Sequence, residues 1–500
     1  MRTYYVSSSL GNDAHDGLSE QSAFASLGMV NALSLGPGDR VLLRRGDTFT
    51  DQYLHPRGSG APDSPITIGA YGDADAPAPH IAANGSGVWQ QDYRAPIGGS
   101  PHRNRGPVST AVLLRDMAYV EVRDLEISNR RVDDTDGLRF NDLEVMDRTG
   151  VAVIAENAGT IRHVLLERLH VHDVDGNIYI KHMANGGIQV LAHMPEITAG
   201  PDANPAISRF DDIRITGCRV ERTTRWGIAV GYTAWLNMID HGARDERGAW
   251  TNTFDYGDGT IADETLETYG ATNVRIDHNI VEDAGGDAIT VMYALRPLVD
   301  HNISRRAARF IRSDIYTATA NDRVAAAIWP WRCKDAVFEY NEAYDTLNAD
   351  HGNGDGQAWD ADFGDGTIYR HNYSSGNSGG TVMFCEAMAV RSEFVGNTAV
   401  NDHMGAIDIP KNPDAWVHGN TFLLADDCEP LRLDRATGAA LIERNNFIRL
   451  SAVSHGKEEE QQQTKRATVW HPEGSDVRWR ANIYVGFEGS PPEDREALSS

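Results

Sequence analysis

VMFCEAMAVRSEFVGNTAVNDHMGAIDIPKNPDAWVHGNTFLLADDCEPLRLD, residues 382–434, repeats one theme three times. A short strand of apolar alternation opens each pass (VMFCE, AIDIP, PLRLD), and turns rich in Gly, Asn and Asp follow. The second residues of these strands, Met383, Ile407 and Leu431, are spaced 24 apart, and Trp359 of AWDAD stands 24 before Met383. Going back along the chain, AIWPW (327–331), AITV (288–291), GIAV (227–230) and GIQV (187–190) extend the series. A fixed period in this range means a solenoid, in which each repeat buries its apolar face only against its neighbours.

A second series runs between the strands: Asn279, Asn341, Asn372, Asn397, Asn420 and Asn445, in contexts such as IDHN, FEYN and YRHN. An Asn at an inward turn can cap its own coil and bond the next Asn along the axis, so the series predicts a ladder. Cys218, Leu169 and Leu125 take its place in earlier coils. Short strands, tight turns and no long amphipathic pattern together predict an all-β chain, a right-handed parallel β-helix. Residues 1–105 are expected to form the entry, the first coils and a cap with a helix near 23–34, because an open solenoid end exposes unpaired edges. Residues 106–450 form the core, with insertions at 191–210, 231–268 and 292–325 that wall a cleft on one edge. Residues 451–500 carry a polar loop, a last strand and a tail.

Bulk composition narrows the partners. Seventy-two acidic against 46 basic side chains give a net charge of −26, which disfavours nucleic acid and anionic membranes and favours a neutral ligand. No apolar run approaches a membrane span. The four cysteines lie far apart without a CxxC pair, so they predict neither a zinc site nor a disulfide framework. The start, MRTYYVSSSL, lacks the apolar centre of a secretory signal, so a cytoplasmic location is expected, with a trimmed secreted protein as the alternative. Nothing in the pattern bears on oligomeric state.

Side chains alternate across a strand, so the residues one and three places after each inward apolar residue face out. The first outward column then reads Gln189, Ala229, Thr290, Trp329, Asp360, Phe384, Asp408, Arg432, and the second includes Trp331, Asp362 and Glu386. Neighbouring coils are about 4.8 Å apart, so Asp362 and Glu386 are expected to hold carboxylates near the roughly 5–5.5 Å of a retaining glycosidase, while Asp360 with Asp362 suits the wider inverting gap. Neighbouring acids repel, leaving one protonated beside one ionised. Trp329 and Trp331 offer faces for a sugar ring. Asp408 and Lys411 are candidates for the cleft rim, and Trp235 and His241, with Trp250 and Tyr256, for its wall. Asp355, in the glycine-rich turn HGNGDGQ, serves either a turn or catalysis, and Asp365 in GDGTI reads as a turn residue.

DGQAWDAD, with the preceding IWPWRCKDAVFEYNEAYDT and the following IYRHNYSSGNSGG, resembles the central coils of β-helix glycoside hydrolases, the bacterial lacto-N-biosidases and β-xylosidases. The lacto-N-biosidase resemblance implies an acid/base Asp and a nucleophile Asp seven residues apart, which Asp355 and Asp362 match. The β-xylosidase resemblance implies a nucleophile Asp and an acid/base Glu one coil later, as in Asp362 and Glu386. Both imply Asp362 as nucleophile, and its partner stays open. The expected function is a retaining glycoside hydrolase, exo-acting on a neutral oligosaccharide, without a cofactor. Asp360, Asp362 and Asp365 as calcium ligands are the alternative to no metal, and HVHDV (170–174) shows two His on one face with no third ligand apparent. A polysaccharide lyase or epimerase using Lys411, Lys334 or Arg332, and a noncatalytic carbohydrate-binding β-helix, are the rival readings.

Overall fold

The computed structural model describes residues 1–93, 105–131, 146–156, 158–178, 180–181, 183–193, 208–231, 242–244, 246, 250–311, 324–347, 355–426, 428–453, 467–494 and 496–499. Apart from a hairpin pairing Gly242–Arg244 with Trp250–Phe254, the described strands fall into three long sheets of 15, 11 and 14 members. Val88–Asp92 pairs antiparallel with Arg105–Arg115 at one end of the 11-stranded sheet, and the other strands pair in parallel with their counterparts one coil away, as Ile213 with Val274 and Phe422 with Phe447. The fold is a right-handed parallel β-helix whose interior is a continuous stack of Val, Ile, Leu, Phe and Ala.

The asparagine ladder is longer than its sequence signal. It runs through Asn279, Asn302, Asn341, Asn372, Asn397, Asn420, Asn445 and Asn482, each Nδ2 donating to the next Oδ1 at 2.9–3.2 Å. Each Oδ1 also accepts a backbone N–H from the coil before, that of Cys218 for Asn279 and that of the preceding Asn for the others, as Asn397 does from Asn372 at 2.8 Å. Asn302 escaped the sequence reading because 292–325 looked like one insertion. Leu298–Asp300 and Ile303–Arg305 within it are ordinary coil strands, so the departure from the coil begins only after Arg305. The entry helix is likewise shorter than expected, Leu27–Asn31, with Leu27 and Val30 buried. Gly28 and Asn31 are weak helix formers.

One register differs from the 24-residue spacing. Trp359 pairs with Val382, Val382 with Ile407 and Ile407 with Leu431, so the three steps are 23, 25 and 24 residues. VMFCE alternates equally well in two phases. The structure turns Val382 and Phe384 inward, both fully buried, because the larger ring fills the interior, and it turns Met383 and Cys385 to the outer face.

Candidate active site

The 11-stranded sheet carries the acid cluster. Its outer column reads Gln189, Ala229, Thr290, Trp329, then Asp360, Met383 and Asp408. In the neighbouring column Met292 meets Trp331, Trp331 meets Asp362, and Asp362 meets Cys385. Glu386 is therefore not the register partner of Asp362. It sits past the strand end at φ +67° and pairs with Lys411 at 3.1 Å, so these two expected site residues form a rim ion pair with each other. Phe384, expected outside, is in the core.

Asp360 and Asp362, two residues apart on one strand, bring carboxylate oxygens within 4.8 Å of one another and of the Cys385 Sγ. That is closer than the inverting gap expected for the pair. Burial, first, then the Asp362 and Asp355 charges push the Asp360 carboxyl well above the usual range. Burial likewise raises Asp362, against a hydrogen bond from Cys385, with Asp355 adding to the rise. Asp355 is itself raised by burial, and Arg435 and Arg432 oppose the rise. The charges of Asp355 and Asp362 thus add to burial in favouring the neutral form of Asp360.

Arg435 ties the cluster together. Its Nε donates to Asp408 Oδ2 at 2.7 Å, and its Nη2 lies 3.5 Å from Asp355 Oδ1. Gln357 Nε2 donates to the same Asp408 oxygen at 3.0 Å. Burial works against the Arg435 charge, but Asp408 and Asp355 outweigh it and hold its pKa above the ordinary value. Asp408 is fully buried, so it braces the site from within rather than lining an open rim. One coil before the acids, Trp329 Nε1 donates to Asp287 Oδ1 at 2.9 Å, and the other Asp287 oxygen pairs with Arg225 at 3.1 Å. Trp331 stacks on Phe363 at 4.6 Å, and Tyr256 meets both rings edge-on. Trp235 and His241 lie outside the described residues.

A proline explains how the acid strand is held. Pro330 stands in the central strand Ile328–Trp331, where it offers no N–H to the next coil. The buried Tyr369 hydroxyl fills the gap from the interior. It lies 2.9 Å from the Asp360 carbonyl and 3.1 Å from the Ile328 carbonyl, and it accepts the Asp360 N–H at 3.3 Å. Asp360 is thereby fixed at its backbone from behind.

The calcium set does not assemble. Asp365 accepts the Ile261 N–H at 2.8 Å and pairs with Arg391, and the third group beside Asp360 and Asp362 is a thiol, which calcium does not favour. The bases a lyase would need are engaged elsewhere. Lys334 donates to the Ile261 carbonyl at 2.7 Å and pairs with Asp263, while Arg332 lies over the Tyr256 ring at 5.1 Å. Arg435, Asp287 and Cys385 were missed in the sequence. Arg435 follows the end of an aligned strand and Asp287 precedes one, so neither falls in a readable column; Cys385 is hidden by the phase of VMFCE.

Fold and site together define a β-helix protein with a buried carboxylate cluster on one strand face. Among solved structures, the native and selenomethionine crystal forms of a GH136 lacto-N-biosidase from Eubacterium ramulus share 42% identity with the chain at a TM-score of 0.80. The match covers 89% of this chain and 67% of that one. A lacto-N-biosidase of Bifidobacterium longum subsp. longum is 45% identical over 527 residues, a match that takes in all of this chain and 31% of that protein. The chain thus spans about a third of that relative's length. No family model matches. The chain belongs to glycoside hydrolase family 136.

Proposed function

We propose that the protein is a retaining, exo-acting glycoside hydrolase that cleaves lacto-N-biosides from neutral oligosaccharides. The observation that carries the reading is a pair of buried aspartates on one strand face, Asp360 and Asp362, with half-buried Asp355 just before that strand, all three with raised pKa and beside two tryptophans. The names of the 42–45% identical relatives support the substrate class, and the net charge of −26 suits a neutral sugar.

Asp362 attacks the anomeric carbon as its glycosidic bond breaks, and Asp355 gives its proton to the departing oxygen. Water then loses a proton to Asp355 and displaces Asp362 from the same carbon, restoring both groups. Burial raises the Asp355 pKa above that of an ordinary carboxyl, as a general acid requires, and it raises Asp362 as well, so the reacting form is the one in which Asp362 has lost its proton while Asp355 keeps its own. Asp360, whose neutral form burial and the neighbouring charges favour, stands beside Asp362 with its oxygens within 4.8 Å. Trp329 and Trp331 stack against the sugar.

The test is proton NMR of the first product released from an aryl β-lacto-N-bioside. The anomer formed first is expected to keep the substrate's configuration, and Asp362→Ala is expected to abolish turnover while still binding the disaccharide. Inversion in the first product, or turnover by the variant, would overturn the mechanism. Release of fragments from mid-chain of a labelled oligosaccharide would overturn exo action.

A further inference from the structure

A second cluster lies on the outer face of a different sheet, the 14-stranded one. His80 and Glu126 are register partners on adjacent coils, and His172 sits one coil further and two residues along, opposite Ser128. The pair of histidines in HVHDV had no third ligand in the sequence, because the solenoid draws the missing members from 44 and 90 residues upstream of His170. Glu126 Oε1 lies 3.0 Å from His172 Nε2 and 3.7 Å from His80 Nδ1, and the three ligand atoms are all within 4.8 Å of one another. A tetrahedral ion with bonds of about 2.0–2.1 Å needs ligand atoms roughly 3.3 Å apart, which small side-chain adjustments reach.

We propose that His80, Glu126 and His172 form a binding site for a divalent transition metal of the zinc class, with water completing the coordination.

The outer hydrogen bonds carry the proposal beyond proximity. His172 Nδ1 faces Asp173 Oδ2 at 2.8 Å, the carboxylate–imidazole arrangement that orients a metal-bound histidine. Asp173 is itself held by Arg222 at 2.8 Å and Arg130 at 2.5 Å. His80 Nε2 contacts the Ser128 hydroxyl at 2.8 Å. With protons on these outer nitrogens, both lone pairs turn toward Glu126.

The neighbouring rungs sharpen the contrast. Further along this face the acids pair with arginines, Glu221 with Arg219 at 2.9 Å and Glu282 with Arg305 at 3.5 Å. The ion pairs described for Glu126 are both to imidazoles rather than to arginines. A divalent ion supplies the charge that arginine supplies elsewhere. Two imidazoles and one carboxylate favour zinc over calcium or magnesium, which prefer sets made wholly of oxygen.

The experiment is calorimetric titration of the chelator-stripped full chain with zinc chloride, paralleled by cobalt(II) absorption in the visible. Saturable zinc binding and a cobalt spectrum with nitrogen ligation are expected. His80→Ala and His172→Ala are expected to weaken zinc binding more than about tenfold, and Asp173→Asn by about tenfold or more through the outer bond. Glu126→Gln, nearly the same shape, gives the same loss in a protein whose fold is checked by its melting curve, should the alanine variants unfold. No saturable zinc binding by the parent chain, or equal binding by the parent and folded Glu126→Gln, would overturn the site.

Discussion

Asp360→Asn separates the roles of the three aspartates and has a magnitude the structure supplies. Asp360 and Asp362 oxygens lie within 4.8 Å, so two full charges there would repel by about 3.5 kcal/mol at an effective dielectric of about 20. Burial, first, and then the Asp362 and Asp355 charges favour the protonated form of Asp360, which avoids that repulsion. A carboxyl whose pKa is higher folded than unfolded contributes stability that is fully present below the unfolded value near about 4. That contribution is lost as pH rises through the folded value. Asparagine copies the neutral form at every pH. The variant should therefore match wild type at about pH 4 and exceed it at about pH 8, by up to about 3.5 kcal/mol. The gain is read as a higher urea midpoint at unchanged slope. Hydrolysis of an aryl lacto-N-bioside should stay within about tenfold of wild type, since a neutral hydrogen-bond donor remains beside Asp362. A variant no more stable than wild type at the higher pH would refute the electrostatic argument. A loss of about 10²–10⁴ in rate, the size expected for removing a general acid, would move that role from Asp355 to Asp360.

Arg435→Gln removes the cation that holds down the pKa of Asp355 and Asp408; both carboxyls rise further, and the pH–rate profile should move to higher pH. The same change leaves buried Asp408 with Arg432, 3.6 Å away, as its remaining cation, so a stability loss of about 1–3 kcal/mol at neutral pH, smaller than for a wholly unpaired charge, should appear in denaturant titration. Glu386→Gln breaks only an exposed pair with Lys411 and should leave kcat/KM within about threefold and stability within about 1 kcal/mol of wild type; a hundredfold loss would restore Glu386 as the acid/base. Asn397→Ala strips two donors, to Tyr369 O at 2.9 Å and Asn420 Oδ1 at 3.1 Å. It also strips the acceptor of the Asn372 N–H, and at about 1–3 kcal/mol per buried group left unpaired it should cost at least about 2 kcal/mol in chemical unfolding.

The fold was legible because a solenoid writes its contacts as a period. Asn372, Asn397 and Asn420 recur at coil spacing, and the coil that binds them needs an Asn at that turn for the same reason each time. The site was less legible because it depends on phase rather than period. One residue fewer between Trp359 and Val382 exchanged Phe384 for Met383 and Glu386 for Cys385 on the outer face, and VMFCE alternates in either phase. Asp360 and Asp362 were found because they share one strand with Trp359, whose large apolar ring fixes the inward side. Arg435, Asp287 and Tyr369 reach the cluster from turns and from the interior, where neither alternation nor spacing marks them. The imidazole–carboxylate cluster on the 14-stranded sheet draws on three coils, so no local pattern announces it.

Tyr369 reaches Asp360 without ever meeting solvent. The aim of an acid on the outside of the coil is therefore set partly by what packs within it, against Phe338, Trp359 and Phe394. Reshaping those interior rings would tilt the phenol and the strand it wedges. Such a β-helix can retune its reacting edge through changes that no ligand touches, and a survey of surface residues alone would overlook the lever.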